Sequence, residues 1–295
     1  MRIHTLDLGF LGVPGLIAAY LVESGGEYAL IETGPGSTLE TLRSAIRDAG
    51  VDESVIKKVF VTHIHLDHAG AAGWWAQIGA TIYCHPNAAR HLIDPSKLMA
   101  SARMVYGDQT DALWGCMLPA PAGLVIPLQD EERVKFGDVE VVAWNTPGHA
   151  RHHHAFVIGD VCFTGDVAGA RLENNHYISV TAAPPQFDPD AYIHSVDRLA
   201  AAGFKSLYLT HYGRVDDVEW HLATYRARIN EVYARVAADY RSGVSEEDNR
   251  RRYAADEHEI AMRAGGDEAL WQKCESANLT AMCADGVRLF CEKGR

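Results

Sequence analysis

The chain has 295 residues, 47% of them hydrophobic, which suits one large domain or a domain with an appendage, and it needs no disulfide or metal merely to fold. Its 39 acidic residues outnumber 27 basic ones, a formal net charge of -12, and this argues against a general nucleic-acid binder, which needs a basic footprint. No run approaches the roughly 20 apolar residues of a membrane span, so neither nucleic acid nor membrane is an expected partner.

The N-terminal run Met1-Arg2-Ile3-His4-Thr5-Leu6-Asp7 has an early Asp and no long apolar stretch, unlike a signal peptide. Six cysteines without a C-x-x-C pair read as reduced, mostly buried thiols, and a cytoplasmic protein is expected. Residues 16–23 and 27–31 read as strands joined by the Ser24-Gly25-Gly26 turn. Gly34-Pro35-Gly36 ends the second strand. Ser37 or Thr38 then caps a helix to about Ala49, which Gly50 stops. Residues 57–62 form an apolar strand ending in a His/Asp cluster, followed by a helix over 70–78 and a strand over 80–84. This alternation is the order of a layered α/β sheet.

Residues 86–127 hold Pro95, Pro119, Pro121 and Pro127, with helical patches at 88–92 and 99–113, and read as an insertion or cap. Strands resume at 133–136, 139–145, 155–158 and 161–164, the last two joined by a Gly159-Asp160 turn. A helix is expected over 189–202 and a strand over 206–210. Helices at 216–240, 245–265 and 268–283 follow, so residues 1–215 read as an α/β domain and 216–295 as a C-terminal helical appendage. That appendage would help build the substrate pocket or form a dimer interface. No solenoid repeat is present.

The sharpest motif is Thr62-His63-Ile64-His65-Leu66-Asp67-His68, or H-x-H-x-D-H. Alternate residues of an extended segment face one way, so His63, His65 and Asp67 can converge, and His68 follows as the chain turns. Three imidazoles and a carboxylate so close together suit zinc, iron or manganese. One loop cannot surround two ions, and three further strand ends present candidates: His149 in Asn145-Thr146-Pro147-Gly148-His149, Asp166 in Thr164-Gly165-Asp166, and His211 in Thr210-His211-Tyr212.

These four segments, in this order, resemble the metal-binding motifs of the metallo-β-lactamase superfamily, and in particular its glyoxalase II-like hydrolases. The resemblance implies a four-layer αββα sandwich with the site at one edge between the sheets. It implies one ion on His63, His65 and His149, a second on Asp67, His68 and His211, and Asp166 bridging them. Two divalent ions about 3.5–4 Å apart, zinc foremost, can share a hydroxide that attacks an ester, thioester or lactone carbonyl of a small acyl substrate. Asp67 is then the candidate to orient the nucleophile and handle protons, and Tyr212 a second residue within reach of substrate. No G-x-S-x-G elbow supports a serine hydrolase.

The sequence departs from the family pattern at residues 32 and 169 and carries a run of histidines after His149. Glu32 stands in Leu30-Ile31-Glu32-Thr33-Gly34 where the family usually has a supporting Asp. His153 matches a supporting position after His149, while His152 and His154 read as turn or strand residues. The quorum-signal lactonases of the superfamily carry Tyr three residues after the bridging Asp, and Gly169 stands there. Trp114, in the cap, is a candidate wall of an apolar pocket. Competing readings are a mononuclear iron oxidoreductase resembling persulfide dioxygenases, a phosphodiesterase, a β-lactamase and a non-catalytic metal-binding module.

Overall fold

β-Branched and aromatic runs lay down the strands. In the computed structural model, which describes residues 1–294, the chain divides into two units. One holds residues 1–145 and 152–165, the other residues 146–151 and the chain from 166 onward.

In the first unit β1 (Arg2–Asp7), β2 (Ala18–Ser24) and β3 (Glu27–Ile31) form an antiparallel meander in which Tyr20 stands opposite Thr5 on one side and Ile31 on the other. After α1 (Leu39–Asp48) the chain returns as β4 (Lys58–Phe60), parallel to β3 with Val59 opposite Leu30. Two short helices, α2 (Leu66–Ala69) and α3 (Ala72–Gln77), lead to β5 (Thr81–Cys84). Three more, α4 (Pro86–Ile93), α5 (Ser96–Tyr106) and α6 (Thr110–Trp114), lead to β6 (Val125–Pro127). Both crossovers return parallel, so the first sheet runs β1 to β6 in sequence order.

An antiparallel run of the second sheet follows in the same unit: β7 (Arg133–Phe136), β8 (Val139–Asn145), β9 (His154–Ile158) and β10 (Val161–Gly165). Every residue of β9 and β10 is buried. The sheets face one another across aromatic pairs, Tyr20 with Phe163 at 5.3 Å and Phe60 edge-on to Phe156 at 5.2 Å. Helices α1, α3 and α4 pack on the first sheet. Leu42 and Ile46 on α1 and Trp75 on α3 are fully buried there, each such side chain contributing about 1.5–3 kcal/mol of hydrophobic stabilisation.

In the second unit α7 (Pro189–Ala202) starts where Asp188 accepts a hydrogen bond from the Ala191 N–H at 3.2 Å, with Pro189 at the first helical position. The short strands β11 (Ser206–Leu209) and β12 (Gly213–Val215) pair antiparallel and leave His211 in the turn between them. Four helices follow: α8 (Val218–Arg241), α9 (Glu246–Arg263), α10 (Glu268–Ala277) and α11 (Thr280–Glu292). Within this unit α8 packs on α7, and α11 packs on α8 and α9.

The expected α/β fold with two sheets and C-terminal helices is present, with local corrections. Residues 268–283 are not one helix. Asn278 is extended (φ -148°, ψ 91°) because its amide donates to Ser179 Oγ at 2.6 Å and to the Val180 carbonyl at 3.1 Å. Helix then resumes and runs to Glu292. The helical patch at 99–113 is likewise two helices, parted at Gly107. The three-residue strands β6 and β12 are too short to show a period, and β1, with only Ile3 and Leu6 apolar, has no alternation to show. Among the described residues, no helix is long and apolar enough to cross a membrane.

Candidate metal centre

The two units each assemble part of the expected donor set. In the first, β4 ends at Phe60, the chain bends at Thr62, and His65 stands at the N-terminal cap of α2 (φ -60°, ψ 150°). His63 Nε2 then lies 3.0 Å from His65 Nδ1. The single turn of α2 swings Asp67 and His68 onto one side, with Asp67 Oδ2 3.6 Å from His68 Nε2. His63 and His68 are wholly buried, whereas His65 and Asp67 are half-buried.

Glu32 organises this half. Its Oε1 accepts hydrogen bonds from Thr62 Oγ1 at 2.5 Å and from His68 Nδ1 at 2.9 Å, and Oε2 accepts from the Thr62 N–H at 3.2 Å. Thr62 Oγ1, having given its proton to Glu32, is left to accept from His63 Nδ1 at 3.0 Å. With Nδ1 carrying the proton in both rings, His63 and His68 present bare Nε2 lone pairs. The glutamate found where the family favours aspartate thus reaches two supporting partners with one carboxylate.

In the second unit Pro147 and Gly148 turn the chain into His149, whose Nδ1 donates to the Thr181 carbonyl at 2.8 Å. Its Nε2 faces Asp166 Oδ2 at 3.3 Å, and His211 Nε2 faces Asp166 Oδ1 at 3.7 Å. One carboxylate therefore addresses two different imidazoles with its two oxygens. All three side chains are nearly fully buried. Tyr212 beside them is half-buried, its N–H on the Arg171 carbonyl at 3.4 Å.

The donor chemistry fits a divalent ion. Ligand atoms bound at about 2.0–2.2 Å around a tetrahedral centre lie roughly 3.3–3.6 Å apart. The separations within each half, 3.0, 3.6, 3.3 and 3.7 Å, bracket that range. Three of the rings have their other nitrogen hydrogen-bonded, the arrangement that fixes a ligand's tautomer and angle.

Of the three consecutive histidines after Arg151, His153 is buried with its ring 4.9 Å from that of His63. His152 lies in the turn, as expected, with its ring parallel to that of His63 at 6.1 Å and edge-on to His65 at 5.6 Å. His154 turns away, against His85 at 4.6 Å. Trp114 stacks on Phe10 at 5.4 Å and meets Tyr106 edge-on at 5.2 Å, an aromatic cluster joining the cap to the loop after β1. Burial and the neighbouring Asp67 push the Tyr106 phenol up to about 12. Thr62 and Thr181 escaped the sequence reading, since a lone threonine carries no signal until its partner is placed.

The family model for the metallo-beta-lactamase superfamily matches residues 12–211. The chain belongs to that superfamily, whose members bind metal ions through His/Asp clusters of this kind. The chain is 29% identical over 189 residues to the metallo-beta-lactamase fold-containing protein ST1585 of Sulfurisphaera tokodaii, spanning 59% of this chain and 71% of that one. A crystal structure described as an archaeal metallo-beta-lactamase superfamily protein, ST1585 from Sulfolobus tokodaii, superposes with a TM-score of 0.65 at 24% identity, over 77% of this chain and 85% of the other. The metallo-beta-lactamase family protein TTHA1429 from Thermus thermophilus superposes with a TM-score of 0.67 at 19% identity, over 99% of this chain and 93% of its own. At these identities the structural likeness speaks for the fold.

Proposed function

We propose that the two donor sets together hold two divalent ions, zinc foremost, and that the protein is a glyoxalase II-like hydrolase of small esters, thioesters or lactones. His63, His65 and His149 would hold one ion and Asp67, His68 and His211 the other, and by the family pattern Asp166 would serve both. The observation that carries this reading is Asp166, whose Oδ2 faces His149 and whose Oδ1 faces His211. A carboxylate with each oxygen turned to a different imidazole is built to bridge two ions.

When bound, such a pair lowers the pKa of water towards neutrality and polarises an acyl carbonyl. The chain's own groups do the rest. Glu32, Thr62 and the Thr181 carbonyl keep three rings in the tautomer that presents Nε2. Asp67, only half-buried beside His68, is placed to accept a proton from attacking water, because it is a carboxylate that solvent and substrate can reach. Tyr212, also half-buried and next to His211 in the chain, is the candidate to reach the substrate.

The test joins elemental analysis to a panel of thioesters, esters, lactones and phosphodiesters. Two zinc ions per chain with acyl turnover are expected. Asp166→Ala should retain at most one ion and lose at least about a hundredfold in kcat, the scale of losing a group that organises the reacting centre. One iron per chain with oxygen uptake, or an Asp166→Ala protein with two ions and full turnover, would overturn the reading.

A further inference from the structure

We propose that Tyr225 of α8, with Tyr192 of α7 and Thr181, forms a chain of hydroxyls that positions the bridging carboxylate and His149, so that the C-terminal helices are part of the metal centre's support. The proposal rests on the metal-centre reading above. All of its geometry lies within the second unit.

Tyr225 OH donates to Tyr192 OH at 2.7 Å, and Tyr192 OH donates to the Asp166 carbonyl at 2.5 Å. Thr181 Oγ1 donates to that same carbonyl at 2.9 Å, filling its second lone pair. The Thr181 N–H reaches Tyr225 OH at 3.5 Å, closing the ring, and the Thr181 carbonyl accepts from His149 Nδ1 at 2.8 Å. Thr181 Oγ1 also lies 2.7 Å from Tyr192 OH and 3.4 Å from Tyr225 OH, so the three hydroxyls form one connected cluster that ends on the Asp166 carbonyl. Both tyrosines are fully buried, and burial holds both phenols above their usual range, so they remain protonated donors.

The packing supports the same assignment. Gly169, three residues after Asp166, has φ +74°, and a Cβ there would lie 2.3 Å from Tyr225 Cε2. The Tyr225 ring occupies the space in which a side chain at 169 would stand. The tyrosine that some relatives would place at this position is therefore excluded, and α8 supplies a phenol from another direction. It points into the backbone behind the ligands, which makes it a positioning residue.

The readout is zinc affinity of the full-length protein, measured by competition with a chromophoric chelator, alongside kcat and KM. Tyr225→Phe and Thr181→Val should each weaken zinc binding about 10–100-fold, the usual cost of losing a group behind a metal ligand. Circular dichroism and elution volume should stay unchanged, and kcat should fall more than KM rises. Thr181→Ser, which keeps the hydroxyl, should restore affinity. Tyr253→Phe, a buried tyrosine of α9 outside this chain of hydroxyls, should match wild type. Wild-type zinc affinity in Tyr225→Phe and Thr181→Val would overturn the proposal. A wild-type protein that binds zinc but cleaves no acyl substrate would sink the hydrolase reading alone, and one that binds no zinc would sink both.

Discussion

His154 shows how far burial can move one side chain. Its ring is wholly buried on β9, against His85, and neither ring nitrogen has a hydrogen-bond partner. Burial, reinforced by the adjacent His85, pulls its pKa down to about 3. In the unfolded chain the same group titrates near 6.5. Protonation therefore favours unfolding: the stability from the neutral ring is complete above pH 6.5 and is lost as pH falls from 6.5 towards 3. The slope is about 1.4 kcal/mol per pH unit over that window. His221, buried on α8 and pulled down to about 4 mainly by burial, adds a loss of the same sign. In metal-free protein, where ligand release cannot contribute, His154→Phe should shallow the acid limb of a stability-against-pH curve measured by urea unfolding. A limb parallel to wild type would show that His154 is not the titrating group.

Between elements, the second unit is tied together by charge as well as by apolar packing. Glu257 on α9 is nearly fully buried and accepts from Arg228 and Arg235 of α8 at 2.6 Å and from Tyr177 OH at 2.8 Å. Arg228 also reaches Glu231 at 2.6 Å and Arg235 reaches Asp256 at 3.3 Å, so Glu257 is the buried member of a charge network, and removing a buried charge from its partners costs several kcal/mol. Glu257→Gln should destabilise the protein by about 3–5 kcal/mol in denaturant unfolding, and a loss below about 1 kcal/mol would show that solvent reaches the pair. The same helices clamp the segment that carries Thr181. Asn278 holds Ser179 and Val180, and Gly286 of α11 lies so close that a Cβ would come within 1.7 Å of the Ala182 carbonyl. These contacts give α11 its register, and they explain why the helical run breaks at Asn278.

At the scale of the whole chain, the proposed ligands span residues 63 to 211, so ion binding is linked to folding. Each ion at about 1,000 times its Kd adds roughly 4 kcal/mol to the folded state, so two add roughly 8 kcal/mol, which for a chain of this size is on the order of 10 °C in Tm. Chelation should lower Tm by that amount in wild type and by clearly less in Asp166→Ala, as read by differential scanning calorimetry. Equal shifts in the two proteins would place the stabilising ion elsewhere.

The candidate donor residues were legible in the one-dimensional pattern. H-x-H-x-D-H after an apolar strand declares itself because strand alternation and the turn of α2 act over a few residues. His149, Asp166 and His211 were legible for the same reason, each closing an apolar strand. The alternation of strands and helices sufficed for the α/β class, and the helical run over 189–202 for the position of α7. What escaped was the choice of partners across long separations: that Glu32 serves Thr62 and His68 with one carboxylate, that Thr181 stands behind His149, and that two phenols stand behind Asp166. Local periodicity says which face of an element is apolar. Which hydroxyl fills which carbonyl, and why only glycine fits at 169, is decided when segments distant in the chain pack closely enough for each buried polar group to need a specific partner.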